Sequence, residues 1–216
     1  MNLLPLFDAF FAPSRCVLCR KRIATGDWCE PCAAATKTSA KTCYRCGSAR
    51  QTHHACWPDG SAVGATVVAY DDSLGLRRVL TAAVRHGVQS VFDDAARLLA
   101  SRYLVRESRP TVVCAVPLAK RALRTQSFDQ RAVLAKMFAQ SANLAVGPRL
   151  SRTKSQANYR PDSLALDDKF VVLVTDVIGD EALSAAVRFC DAHNVRRVDV
   201  VAVVRYGDDS LDASQP

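Results

Sequence analysis

The segment Lys169-Phe170-Val171-Val172-Leu173-Val174-Thr175-Asp176-Val177-Ile178-Gly179-Asp180-Glu181 decides the fold of this chain of 216 residues. The run from Lys169 to Val174 is typical of a short strand that is buried on both faces of a parallel sheet. From Asp180 onward the sequence favours a helix, whose N-terminus attracts the negative charge of the two acids. A strand, a short turn carrying Asp176 and a helix form the place where α/β proteins bind phosphate and ribose groups.

Strands and helices alternate through the rest of this body, which predicts a mostly parallel sheet flanked by helices. The first helix ends at His86-Gly87 and carries Arg77, Arg78 and Arg85 on the face opposite its apolar residues. This basic face either is solvated or faces a ligand. In the helix after Gln130, apolar side chains point inward, namely Val133, Leu134, Met137 and Phe138. The predicted strands are 63–70, 112–117, 169–174 and 198–204, and the other predicted helices are 91–103 and 180–193.

Charge is unevenly distributed along the chain, whose formal net charge is +8. Residues 76–160 contain 16 Lys and Arg against 4 Asp and Glu, a surplus of +12. This basic middle is compatible with a nucleic acid or a phosphorylated ligand, and also with solubility alone. With 49% hydrophobic residues the chain can build a core, which excludes wholesale disorder.

Cysteine spacing predicts a metal-binding module before the α/β body. Seven of the nine cysteines lie between residues 16 and 56, and His53 stands three residues before the last of them. Pairs of ligands separated by two residues let one tight turn offer two ligand atoms to one ion. We therefore predict two structural zinc sites with complete ligand sets. The first set is Cys16, Cys19, Cys29 and Cys32, and the second is Cys43, Cys46, His53 and Cys56.

Two alternatives remain within this module. His54 can replace His53 after a small shift of the turn, and the first and third pairs can share an ion in an interleaved arrangement. Disulfides are disfavoured, because the chain shows no signal peptide and thiols in the cytoplasm stay reduced. The apolar segment 1–13 is too short to span a membrane and is expected to form a short helix. We therefore expect a cytoplasmic protein with no membrane span.

Several segments, in order along the chain, resemble motifs of the ComF (GntX-like) competence family. These are the cysteine module, Val116-Pro117-Leu118 after a strand, Ser127-Phe128-Asp129-Gln130, and Arg152-Thr153-Lys154-Ser155-Gln156. The stretch from Val171 to Leu183 is similar to the ribose-phosphate motif of type I phosphoribosyltransferases. It departs from that motif because Thr175 replaces the first of two acids and residues 179–183 replace a Thr-Thr-Gly-Ala-Thr phosphate loop.

The resemblance implies which residues contact a ligand. Asp176 matches the remaining ribose-binding acid and is the candidate catalytic residue, with magnesium as a cofactor only if the protein is active. The turn after Pro117 lies against pyrophosphate in the family, and the segment 152–160 resembles a loop that covers the active site. The six cations implied to bind phosphate or nucleic acid, or else to be solvated, are Lys120, Arg121, Arg124, Arg152, Lys154 and Arg160.

Asp180 and Glu181 argue against a bound phosphate. One such repulsion at contact distance is on the order of 4 kcal/mol at an effective dielectric constant near 20. The surviving amides return only about 1–2 kcal/mol for each hydrogen bond. Two hypotheses follow. The first is an inactive phosphoribosyltransferase-like protein that acts in DNA uptake, with single-stranded DNA and competence proteins such as a DNA-uptake helicase as partners; the second is an active phosphoribosyltransferase that uses phosphoribosyl pyrophosphate.

The predicted domains follow the changes in composition. Residues 1–62 form the N-terminal helix and the double zinc-ribbon module. Residues 63–206 form the phosphoribosyltransferase-like domain. Residues 207–216 contain three acids and no base, and are expected to form a disordered acidic tail.

Overall fold

The structure is a computed structural model. It describes residues 15–16, 19, 21–24, 28–36, 43–47, 56–71, 74–104, 110–148, 150–152, 159–161, 166–178 and 180–205. The helix expected within residues 1–13 and the tail expected at 207–216 lie outside these ranges. Among the helices that the structure describes, none is long and apolar enough to cross a membrane.

A four-stranded parallel sheet forms the centre of the α/β body, with the strand order β1-β6-β5-β2. β5 lies inside the sheet, and its residues 171–175 are completely buried, as the apolar run predicts. A separate antiparallel hairpin joins β3 and β4. The strands are β1 (Val63–Asp71), β2 (Val112–Ala115), β3 (Leu150–Arg152), β4 (Tyr159–Pro161), β5 (Phe170–Ile178) and β6 (Arg197–Arg205).

Helices cover both faces of this sheet, because alternate residues of each buried strand point to opposite sides. Val172 and Val174 pack in the same core as α2, α3 and α5, whereas Val171 and Leu173 pack in the core that contains α6. The prediction of a parallel sheet flanked by helices, with a cysteine-rich N-terminal segment, is confirmed. The helices are α1 (Glu30–Thr36), α2 (Leu74–His86), α3 (Ser90–Leu104), α4 (Lys120–Thr125), α5 (Gln130–Ala142) and α6 (Glu181–Ala192).

Three local predictions are corrected by the structure. β5 continues past Val174 to Ile178, because β6 pairs alongside it as far as the partners Ile178 and Arg205. Asp176 therefore lies within the strand and not in a turn. The cations after Pro117 lie on the short helix α4 and not on an open turn. The segment predicted as a loop over 152–160 begins and ends in the β3–β4 hairpin.

The cysteine-rich segment packs on the outer edge of β1. The amide of Thr66 donates to the carbonyl of Tyr44 at 2.8 Å, and the hydroxyl of Thr66 donates to the carbonyl of Arg45 at 2.7 Å. Gly47 has a φ of 72°, and a Cβ at this position would lie 2.9 Å from Cγ2 of Val68. The turn at residues 43–47, which we call the edge knuckle, therefore fits this edge closely only with glycine at its end.

Candidate functional site

Asp176 lies two residues before the end of β5, at the edge of the sheet where α/β proteins bind ligands. Its carboxylate accepts two hydrogen bonds from the start of α5. Nε2 of Gln130 donates to Oδ2 at 2.9 Å, and Nε of Arg131 donates to Oδ1 at 2.6 Å. Both oxygens of the candidate catalytic acid are thus bound to protein groups.

Arg131 also binds Asp180, the acid at the start of α6. Its Nη2 donates to Oδ2 of Asp180, so one guanidinium bridges the two carboxylates. The Arg131 side chain is 6% exposed. Burial acts to lower its pKa, but the charges of Asp176 and Asp180 outweigh this effect and raise the pKa above its ordinary value. Arg131 therefore stays charged, bridges both acids and offsets one of their two negative charges.

Asp180 is the N-cap of α6 and not a residue within the helix. Its Oδ1 accepts the backbone amide of Leu183 at 2.7 Å, which satisfies one of the free amides at the helix start. The N-cap role of Asp180 therefore adds a second reason for excluding a phosphate to the repulsion expected from the acids at this turn. Arg131 compensates part of the charge, and Asp180 itself takes an amide to which a phosphate would bind.

Arg131 is not among the site residues predicted from the sequence. A usable signal exists, because Arg131 lies three residues before Leu134 and seven before Phe138, on the same stripe of α5. All three side chains are buried, whereas Val133 and Met137, which were predicted to point inward, are only half-buried. A cation on an apolar stripe indicates a buried partner of opposite charge.

A cavity of about 340 Å³ opens beside Asp176, on the face of the sheet that carries α2, α3 and α5. Its polar lining includes Gln126 and Gln130, and α2 contributes Arg77 and Arg85. The remaining lining residues are Leu80, Thr81, Val84, Phe92, Thr125 and Val177. This cavity combines an apolar wall, amide groups and two arginines, a composition that is typical of a site for a polar, anionic ligand.

As far as the structure describes them, the cations implied to contact phosphate lie on α4 and on the β3–β4 hairpin. Lys120, Arg121 and Arg124 are exposed on α4, whose last residue, Thr125, lines the cavity. Arg152 and Arg160 lie on β3 and β4, where the backbones of Ser151 and Arg160 are paired. Lys154 lies outside the described residues. Of α4, only Thr125 is among the residues that line the cavity.

The first cysteine cluster contains Cys16, Cys19, Cys29 and Cys32. Their four sulfur atoms lie within 4.8 Å of one another, and the sulfurs of Cys19 and Cys29 are 3.5 Å apart. Tetrahedral zinc, with bonds of about 2.3 Å, separates its sulfur ligands by about 3.8 Å. A hydrogen bond with Cys29, followed by burial, raises the pKa of Cys32 to about 12. A bound divalent cation would reverse this shift by stabilising the thiolates.

The second cluster contains Cys43, Cys46 and Cys56, whose sulfur atoms also lie within 4.8 Å of one another. His53 and His54 are outside the described residues, so the choice between them stays a prediction. The structure groups the first two pairs together and the third pair with Cys56, which is the sequential arrangement and not the interleaved one. Three thiols leave one tetrahedral position for a further ligand, and a histidine there would complete it.

No protein-family model matches the chain, and a search of curated proteins also finds no match. Similar solved structures include hypoxanthine phosphoribosyltransferases. The Staphylococcus aureus enzyme has a TM-score of 0.38 and 14% identity, and the match covers 56% of this chain and 66% of that one. The Trypanosoma cruzi enzyme in complex with the product IMP has a TM-score of 0.35 and 14% identity, and the match covers 56% of this chain and 68% of that one. The Leishmania donovani hypoxanthine-guanine enzyme has a TM-score of 0.35 and 13% identity, and the match covers 58% of this chain and 75% of that one.

Proposed function

We propose that this chain is a ComF-like protein that binds single-stranded DNA in the cytoplasm during DNA uptake, with competence proteins such as a DNA-uptake helicase as partners. Its phosphoribosyltransferase-like body no longer binds phosphoribosyl pyrophosphate. Two zinc ions hold its N-terminal module together. The observation that carries this proposal is the bridge from Arg131 to Asp176 and Asp180.

The Arg131 bridge argues against a ribose-phosphate site because it uses the groups that such a site needs. A sugar that binds Asp176 must replace the hydrogen bonds from Gln130 and Arg131. Hydrogen bonds to charged groups contribute about 1.5–3 kcal/mol each. A phosphate at the start of α6 must also displace the Asp180 carboxylate from the amide of Leu183. Ligand binding would therefore begin by breaking a compensated network.

Cations around the cavity support an anionic partner of greater length than a mononucleotide. Arg77 and Arg85 line the cavity, and α4, whose last residue also lines it, carries three exposed cations. These groups belong to the basic middle of the chain, with its surplus of +12. A flexible single strand can follow such a surface through its phosphates without sequence preference.

The two cysteine clusters fit zinc in both ligand type and spacing. Four thiols in one cluster, and three thiols with a histidine in the other, are closed sets that keep no position for water. Such sites stabilise folding and do not catalyse reactions. The edge knuckle carries Cys43 and Cys46 and is bound to β1, so the second ion also stabilises the contact with the sheet.

An active phosphoribosyltransferase is the second candidate function. It is favoured by one observation, the position of Asp176 at the carboxyl edge of parallel strands beside a cavity. Magnesium would then have to bind Asp176 in competition with the guanidinium of Arg131. Calorimetry distinguishes the candidates: we expect no heat from phosphoribosyl pyrophosphate with magnesium at millimolar concentration. A micromolar dissociation constant that Asp176→Ala abolishes would establish the enzyme and refute the proposal.

DNA binding is tested by the salt dependence of affinity for a fluorescent oligonucleotide. Replacing Arg121 and Arg124 together by alanine should flatten the log–log slope by about 1.4, because each lost phosphate contact contributes about 0.7 for a single strand. Replacing Arg188 and Arg196 by alanine removes the same charge from exposed positions on α6 and before β6 and should leave the slope unchanged. Equal effects of the two double variants would indicate nonspecific attraction to a positive protein.

A further inference from the structure

We propose that Tyr44, on the edge knuckle, stacks on one base of the bound DNA strand and so adds a base contact to the phosphate contacts. This inference rests on the proposed DNA binding and specifies a contact that the cysteine-rich segment makes. Stacking on an aromatic ring tolerates any sequence, because every base has a π-face. The ring of Tyr44 is exposed, its backbone is fixed, and the sequence around it is positively charged.

Tyr44 is the most exposed large hydrophobic residue in the part of the chain that the structure describes. It is 65% exposed, and the other exposed residues of this kind are Val88, Leu104 and Val146. Tyr44 is the only aromatic residue of these four. Aromatic rings supply large contact areas and contribute strongly to binding interfaces. A ring that the fold leaves in solvent is therefore available to a partner.

The edge knuckle holds the backbone around Tyr44 in place. The carbonyls of Tyr44 and Arg45 accept from the amide and the hydroxyl of Thr66. The amide of Gly47 donates to the carbonyl of Cys43 at 2.8 Å, which closes the turn. A ring on a fixed backbone loses little conformational freedom on binding, because only its two side-chain torsions remain to be ordered. The exposed ring is thus prepared for contact with a flat partner.

The charge of the sequence around this ring favours an anionic partner. Residues 33–59 contain four cations, Lys37, Lys41, Arg45 and Arg50, against a single acid, Asp59. That acid is paired with Arg45 at 3.0 Å. A zinc ion held by three thiolates and a neutral histidine carries a net charge of about −1, so the segment stays positive with the metal bound. An exposed ring in a positive segment suits a strand that carries one phosphate for each base.

Two strands of about twelve nucleotides test this contact with the zinc-loaded, full-length chain. One is a thymidine strand, and the other is an abasic strand with the same phosphates and no bases. Fluorescence anisotropy should show that the wild-type chain binds the thymidine strand at least about fivefold more tightly. Tyr44→Ala should weaken binding of the thymidine strand about fivefold and change binding of the abasic strand less than about twofold. The log–log salt slope should stay the same, because no phosphate contact is lost.

Further variants separate the aromatic face from apolar surface in general. Tyr44→Phe keeps the π-face and should bind the thymidine strand within about twofold of the wild-type affinity. Tyr44→Leu keeps an apolar side chain without a π-face and should behave like Tyr44→Ala. The matched control is Leu104→Ala at the end of α3, where the residue is 58% exposed, and it should change the affinity for neither strand. Elemental analysis should find the same zinc content in all of these variants.

Each outcome has a definite meaning. If the wild-type chain binds neither strand near physiological salt, the proposed function is wrong. If it binds both strands equally, or if Tyr44→Ala and Tyr44→Leu keep the preference for the thymidine strand, DNA binding stands and the stacking role of Tyr44 is refuted. The exposed ring would then be left for a protein partner. An equal loss of affinity for both strands in Tyr44→Ala would show that the ring supports the edge knuckle and does not stack on a base, which also refutes the inference.

Discussion

Replacing Arg131 with methionine removes the guanidinium that bridges Asp176 and Asp180, while keeping the length and apolar stem of the side chain. The two carboxylates then lack their shared cation. Asp176 retains the hydrogen bonds from Nε2 of Gln130 at 2.9 Å and from the hydroxyl of Thr175 at 3.4 Å, and Asp180 retains the one from the amide of Leu183 at 2.7 Å. The loss of stability should therefore come from uncompensated charge and not from missing donors.

The magnitude follows from the exposure of the two acids. Removing one partner of a fully buried ion pair costs about 3–5 kcal/mol. The Arg131 side chain is 6% exposed, but those of Asp176 and Asp180 are 17% and 29% exposed, so water can partly solvate them. We expect a decrease in the free energy of unfolding near the lower limit, about 3 kcal/mol.

Urea unfolding at neutral pH, followed by circular dichroism, measures this decrease as a lower midpoint at unchanged m-value. The double variant Arg131→Met with Asp180→Asn removes one uncompensated charge but keeps an effective N-cap. It should recover at least about 1 kcal/mol relative to Arg131→Met alone. A double variant as unstable as the single one, or a single variant that loses less than about 1 kcal/mol, would refute the role of Arg131 as the compensating charge.

Further predictions concern the metals, the edge knuckle and alkaline pH. Elemental analysis should find two zinc ions in each chain, and His53→Ala should weaken the binding of only one of them. If only His54→Ala has this effect, His54 is the ligand in place of His53. Gly47→Ala should lower the melting temperature more than the control Gly60→Ala. Both glycines have a positive φ, but a Cβ at Gly47 would lie 2.9 Å from another side chain, whereas nothing lies within 4 Å of a Cβ at Gly60. Burial, followed by the charge of Asp94, raises the pKa of Tyr70 from 10.0 to about 12. The neutral phenol thus stabilises the fold below pH 10, and about 2–3 kcal/mol should be lost as the pH rises through 12; Tyr70→Phe should show a smaller loss over this range.

Local sequence patterns could predict the sheet and the cysteine ligands. The apolar runs of β5 and β6 are long enough to indicate buried parallel strands, and Asp176 follows the first of them directly. The spacing of the cysteine pairs limits which thiols one turn can bring together. Both features depend on residues that are close in sequence, and such residues constrain one another through the geometry of a strand or a turn.

Contacts between distant segments could not be predicted in the same way. The bridge from Arg131 to Asp176 joins residues 45 positions apart, and only packing of α5 against β5 brings them together. The extension of β5 beyond Val174 depends on its partner β6, and the edge knuckle contacts β1 through its own backbone carbonyls, which accept from the amide and the hydroxyl of Thr66. Backbone hydrogen bonds have no side-chain signature, so the sequence carries little information about them.

The attachment of the edge knuckle to β1 has a consequence for the order in which the chain acquires structure. β1 pairs with β6, and the partners Val63 and Val198 lie about 130 residues apart, so this pairing must wait until most of the chain has been synthesised. The edge knuckle precedes β1 by fewer than about twenty residues and can bind it much earlier. In pulse-labelled refolding with zinc, the amide of Thr66, which donates to Tyr44, should become protected before the amides of β6. The metal would then shield a nascent strand from pairing with other chains.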